Sequence, residues 1–141
     1  MTNNKLYKRV GRRFVPVEDL TGRIREVENT KAICILQTAT HRYWAEVDDS
    51  GKCMSHYEAL DYVKTRFNGK GILPTRSLLL LLRDKYKEKI HIGGWCYWTA
   101  DVSESEYAHA WEIGWANGGV YCSNRSNCFG AYVRAFAIEK I

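Results

Sequence analysis

The chain has 141 residues, enough for one ordinary domain and too few for two independent cores. With 45% hydrophobic and 26% charged residues the composition is globular, and no segment is biased enough to be read as disordered. The formal charge of +5 is concentrated near the N-terminus in Lys5, Lys8, Arg9, Arg12 and Arg13; with no base-reading motif beside it, a solvated basic arm is expected and no nucleic-acid partner.

Met1 is followed by polar residues rather than the apolar core of a signal peptide, which predicts synthesis in the cytoplasm. The longest apolar run, Leu78 to Leu82, is too short to span a bilayer, so no membrane insertion is expected. The five cysteines, Cys34, Cys53, Cys96, Cys122 and Cys128, form no C-x-x-C pair and are odd in number. Reduced thiols are the default in a reducing compartment, with a Cys122–Cys128 bridge as the alternative.

Along the chain, Leu6 to Val17 mixes apolar and basic residues around Gly11 and Pro16 and reads as a short strand or arm. Lys31 to Thr38 holds Ala32-Ile33-Cys34-Ile35-Leu36, a run with the length and β-branching of a buried strand. Arg42 to Val47 predicts a second strand, and Asp48-Asp49-Ser50-Gly51 a turn. Ser55 with Glu58 forms a capping box; Ala59, Leu60, Val63 and Phe67 follow at helical spacing, and Asn68-Gly69 predicts the helix end. Thr75 is a second N-cap, opening a helix over Ser77 to Lys87; its charged continuation favours helix over strand for the leucines.

From Gly93 onward short β segments are separated by Gly, Ser and Asn. Ala108 to Ala116 alternates, placing Trp111, Ile113 and Trp115 on one face, and Tyr132 to Ile138 alternates similarly. Joined through Gly118-Gly119 and the polar Ser123 to Asn127, they predict a β-hairpin or a short three-strand meander. Two helices among short strands make an α+β pattern.

These motifs, in order, resemble the C-type-lectin-like domain found at the C-terminus of Lcl-type bacterial proteins and in many phage proteins, a group related to the formylglycine-generating enzymes. The resemblance rests on His56-Tyr57-Glu58-Ala59, Gly71-Ile72-Leu73-Pro74-Thr75, Tyr97-Trp98-Thr99-Ala100, Ala110-Trp111 and Tyr132-Val133-Arg134-Ala135. It implies two helices packed on short antiparallel sheets over residues 31–141, with residues 1–30 as a basic N-terminal arm or strand of the same domain. Gly71-Ile72-Leu73 and Phe136 depart from the family pattern. The signatures of calcium-dependent sugar binding are missing, so Asp101, Glu104 and Glu106 are read as a solvated acidic loop and no metal is expected.

A subset of the family resembles the variable proteins of diversity-generating retroelements, in which adenine-directed changes to asparagine-type codons yield Tyr, Cys, Ser, Asn, Arg, Phe or Gly. Tyr121 to Gly130 contains only those types and lies where the variable region would be. The resemblance thus implies a protein or surface-glycan ligand, display positions Asn117, Tyr121, Ser123, Asn124, Ser126, Asn127 and Phe129, and presentation on a virus particle. Aromatic anchors among small polar residues suit a paratope, and the same composition also suits an ordinary hairpin loop. The scattered His41, His56, His91 and His109 match no catalytic motif, so neither an enzyme nor a cofactor is expected. A non-variable structural or assembly module, docked through its basic N-terminus, is the alternative function.

Overall fold

The computed structural model describes residues 6–103 and 108–141. The chain opens with a two-stranded antiparallel ribbon, β1 (Leu6–Val10) and β2 (Arg13–Val17), in which Val10 lies opposite Arg13 and Gly11 takes the left-handed conformation at φ 64°. The ribbon is a sheet of its own and contributes no residue to the core. The segment after it is built into the body. Leu20 is buried, and β3 (Ile24–Val27) pairs with β4 (Thr30–Gln37).

β4 pairs in turn with β5 (His41–Glu46), which pairs with the last strand, β10 (Phe136–Lys140), giving an antiparallel sheet in the order β10-β5-β4-β3. A second sheet has the order β8-β7-β6-β9 and combines β6 (Cys96–Val102), β7 (His109–Gly114), β8 (Val120–Asn124) and β9 (Ala131–Tyr132). Its β9 runs parallel to β6, whereas the other pairs are antiparallel. With two α-helices, the described chain is an α+β protein of antiparallel and mixed sheets.

Helix α1 (His56–Val63) starts as the sequence predicts. The Ser55 hydroxyl accepts from the Glu58 N–H while the Glu58 carboxylate accepts from the Ser55 N–H, so two orphan donors are satisfied reciprocally. Its end differs from expectation: the helix stops at Val63, four residues before Phe67. Phe67 and Asn68 adopt left-handed angles, φ 54° and 53°, in a separate helical turn. Phe67 is fully buried and donates its N–H to Thr30 Oγ1 at 3.0 Å, so packing and a buried hydrogen bond offset a conformation unfavourable for an aromatic residue. Helix α2 (Arg76–Tyr86) is capped by the Thr75 hydroxyl, and of its five leucines Leu79 and Leu82 are the fully buried ones.

Strand alternation distributes the core between two clusters. Neighbours Tyr97 and Trp98 point to opposite faces of β6: Trp98 packs with Ala59 and Val63 of α1, Tyr97 with Leu79 and Leu82 of α2. The same alternation splits Ala32 and Cys34 from Ile33 and Ile35 on β4.

The terminal pairing departs from the expected hairpin. β7 pairs with β6 and β8, and the Tyr132 to Ile138 segment is divided between the two sheets. Residues 133–135 make the crossing. The Val133 carbonyl accepts from Ser50 N–H at 2.8 Å, the Ala135 carbonyl from Glu46 N–H at 2.9 Å, and Arg134 between them is completely buried. Backbone bonds and a buried cation thus hold a segment that alternation alone would assign to one strand.

Candidate functional site

At one end of the second sheet, the chain enters β6 through Gly94 and Trp95 and leaves β7 through Trp115. Gly94 has no room for a side chain, since a Cβ there would lie 2.3 Å from Tyr132 Cγ. Trp95 follows and is 86% exposed, while its carbonyl accepts from the Trp115 N–H at 2.7 Å. Trp115 is buried against Tyr97, edge to face at 5.2 Å. Its indole N–H has no acceptor among the described residues.

The turn from β7 to β8 is tied by Gly118 N–H to the Gly114 carbonyl and Gly114 N–H to the Gly119 carbonyl, both at 2.8 Å. Asn117 closes it from inside: Oδ1 accepts from the Gly119 N–H at 2.8 Å, and Nδ2 donates to Tyr121 Oη at 2.9 Å. The Tyr121 ring lies over Gly114, where a Cβ would come within 2.8 Å of it. Together these residues leave a largely apolar cavity of about 420 Å³, lined chiefly by Trp95, Cys96, Trp115, Asn117 and Tyr121.

Glu112 lies opposite Tyr121 in the β7–β8 register and on the same sheet face. Burial raises its carboxyl above the ordinary range, and the neighbouring Ser123 and Cys96 offset this only in part. The Cys96 thiol is raised as well, first by burial and then by Glu112.

The polar stretch beyond β8 is ordered by its own side chains. Asn124 Oδ1 accepts from the Ser126 N–H and hydroxyl at 2.9 and 2.7 Å, and Asn127 Oδ1 accepts from the Phe129 N–H at 3.0 Å. Arg125 pins the stretch to α1. Its Nε–H donates to His56 Nδ1 at 3.0 Å, its guanidinium lies 4.4 Å over the Tyr57 ring, and its carbonyl accepts from the His56 N–H. His56 Nε2 faces the Thr99 carbonyl at 2.9 Å, so the proton sits there and Nδ1 is left as acceptor. Burial lowers the His56 pKa, consistent with this neutral ring.

Of the display positions read from the sequence, the structure brings Asn117 and Tyr121 together at the cavity. Ser123 points to the same face as Tyr121 but is engaged with Glu112. Asn124, Ser126 and Asn127 are exposed and occupied in turn bonds, whereas Phe129 is 78% exposed. β9 opens at Ala131 opposite Cys96 and parallel to it, which places the approach of Phe129 at the sheet end where Trp95 precedes Cys96. Cys122 and Cys128 are free, exposed thiols. Asp101 is occupied by the N–H of Arg76 at 2.9 Å, while Glu104 and Glu106 lie outside the described residues. Among the described residues no group of three His, Cys, Asp or Glu is placed to hold a metal, and no helix is long and apolar enough to cross a membrane.

Sequence reasoning missed Trp95, Cys96 and Glu112, and read Trp115 as scaffold only. One signal was available: an isolated Trp directly after Gly93-Gly94, where no strand periodicity yet requires an apolar residue. Comparison with protein-family models gave no match, and comparison with curated proteins gave none either.

Proposed function

We propose that this chain is a non-enzymatic ligand-binding protein whose recognition surface combines the Trp95–Trp115–Tyr121 cavity with the exposed 121–129 stretch. The observation that carries this reading is the exposure of Trp95 at the rim of an apolar cavity. An exposed indole is costly in water and, when covered by a partner, among the strongest anchors an interface can have. The ligand is a protein or surface glycan, and the fold is read as C-type-lectin-like, in keeping with its two helices and short sheets.

The test is a screen of the immobilised chain against a glycan array and a displayed peptide library, repeated with Trp95→Ala. Covered ligands are expected to lose at least about tenfold in affinity, or about 1.4 kcal/mol, with that variant. Ligands that bind wild type and Trp95→Ala equally would overturn the assignment of the surface. The retroelement version has its own test: a nearby template repeat in the DNA, differing from the 117–129 codons at adenines. Its absence sinks diversification and leaves binding untouched.

A second reading is favoured by the N-terminal ribbon. The segment up to Val17 has five cations and no acidic residue, which equals the whole formal charge of +5. Tyr7, Val10 and Phe14 are exposed on the ribbon, and a lone two-stranded ribbon is marginal in water. On this reading it is an assembly arm for a larger particle. Removal of residues 1–17 is then expected to abolish assembly while the circular dichroism of the body is retained; assembly that persists unchanged excludes the arm.

A further inference from the structure

Three features of the cavity remain unexplained by a generic apolar contact. Aromatic residues from three separate segments line it: Trp95 ahead of β6, Trp115 behind β7 and Tyr121 on β8. A carboxyl group stands beside its wall, because Glu112 is the cross-strand neighbour of Tyr121 and close enough to Cys96 to raise its thiol, and Tyr121 and Cys96 both line the cavity. That carboxyl has no cationic partner among the described residues. Its polar neighbours are Ser123 and Cys96, and Arg83, behind the turn, is occupied by the carbonyls of Trp115 and Ala116 and by Asp84.

Resting on the recognition surface argued above, we infer that the cavity is an aromatic cage for an alkylammonium group, with Glu112 as its counter-ion. The ring faces of Trp and Tyr attract a cation through their quadrupoles, and quaternary ammonium groups suit such cages because they carry charge with little hydration to lose. A carboxylate just behind the rings adds Coulomb attraction in a partly dry site, where it is screened less than on the open surface. A cation in the cavity also supplies what the half-buried carboxyl lacks, so binding favours the ionised form that partial burial opposes. A neutral apolar ligand would fill the same volume but leave the carboxyl uncompensated.

Choline is the probe, and 3,3-dimethylbutan-1-ol, its uncharged isostere, is the control; binding is read from tryptophan fluorescence and from the indole N–H resonances of Trp95 and Trp115. Saturable choline binding is expected, with the isostere weaker by at least about tenfold, the scale of a desolvated cation–π contact. Glu112→Gln keeps the hydrogen-bonding shape and removes the charge; it is expected to weaken choline several-fold and leave the isostere unchanged, whereas Trp95→Ala weakens both. Equal binding of choline and the isostere, indifference to Glu112→Gln, or no choline binding would each overturn the cation cage. Trp95-dependent ligands without a cationic group would overturn the cage and leave the recognition surface standing; absence of any Trp95-dependent ligand would remove the surface itself.

Discussion

Arg134 offers the sharpest test of how the terminal segment is held. Its guanidinium is completely buried and donates to the carbonyls of Glu46 at 3.0 Å, Val47 at 2.7 Å and His91 at 2.6 Å. It also lies 3.9 Å from the Asp49 carboxylate and 5.3 Å from the centre of the Tyr97 ring. Arg134→Met keeps much of the volume and deletes the donors, leaving the Asp49 carboxylate buried without its cation and three carbonyls without this donor. Breaking a buried pair from one side costs about 3–5 kcal/mol. Against a total stability of about 5–15 kcal/mol for a domain, the variant should be near its folding threshold. In urea, with a slope of about 2 kcal/mol per molar, the unfolding midpoint read by tryptophan fluorescence should fall by about 2 M. A second substitution, Asp49→Asn, should recover part of the loss, because it removes the stranded charge. A midpoint shift below about 0.5 M for Arg134→Met would refute the view that this cation joins the two sheets.

Two other predictions follow from the site. The folded Glu112 pKa is raised, so its contribution to stability is full below the unfolded value of 4.5 and is lost as pH rises through the folded value. Glu112→Gln should therefore be more stable than wild type near pH 7 and lose that advantage below about pH 4 in urea titrations; no pH dependence in the difference would contradict the burial argument. Gly94→Ala forces a methyl to 2.3 Å from Tyr132 Cγ and should lower stability by about 1–3 kcal/mol while displacing Trp95, read as a lower Tm and a shifted indole resonance. An unchanged Tm and resonance would show that the approach is not tight.

What was legible in the sequence was local. Ser55 with Glu58 and Thr75 announce helix starts because a cap is made within three residues of itself, and the Ala32 to Leu36 run announces a buried strand because β-branching and length suffice. The helix end was misplaced because Phe67 fits the apolar spacing of α1 yet serves the core from a left-handed turn fixed by Thr30, 37 residues away. The pairing of β10 with β5 was hidden for the same reason: alternation shows which face a residue takes, not which strand lies beside it. At the site, Asn117 and Tyr121 were visible as residue types, whereas Trp95 and Glu112 acquire meaning only when β6, β7 and β8 are laid side by side.

The polar loop shows why composition alone could not separate display from scaffold. Asn117, Asn124 and Asn127 each use the side-chain carbonyl to accept a backbone N–H two residues on, so all three are turn formers as well as exposed polar residues. Phe129 has no such duty and is 78% exposed. Asn124→Ala and Asn127→Ala should each cost about 1 kcal/mol, the net worth of one hydrogen bond, while Phe129→Ser should stay within about 0.5 kcal/mol. Chemical denaturation of the three variants measures this directly, and a larger loss at Phe129 than at either asparagine would reverse the division. If the loop is diversified, the division also constrains the outcome. Serine, which an adenine-directed change can place at an Asn codon, keeps a weaker form of the same turn bond, whereas Tyr or Phe there removes it. Folded variants should therefore be enriched in Asn and Ser at 117, 124 and 127 and open to every permitted type at 129.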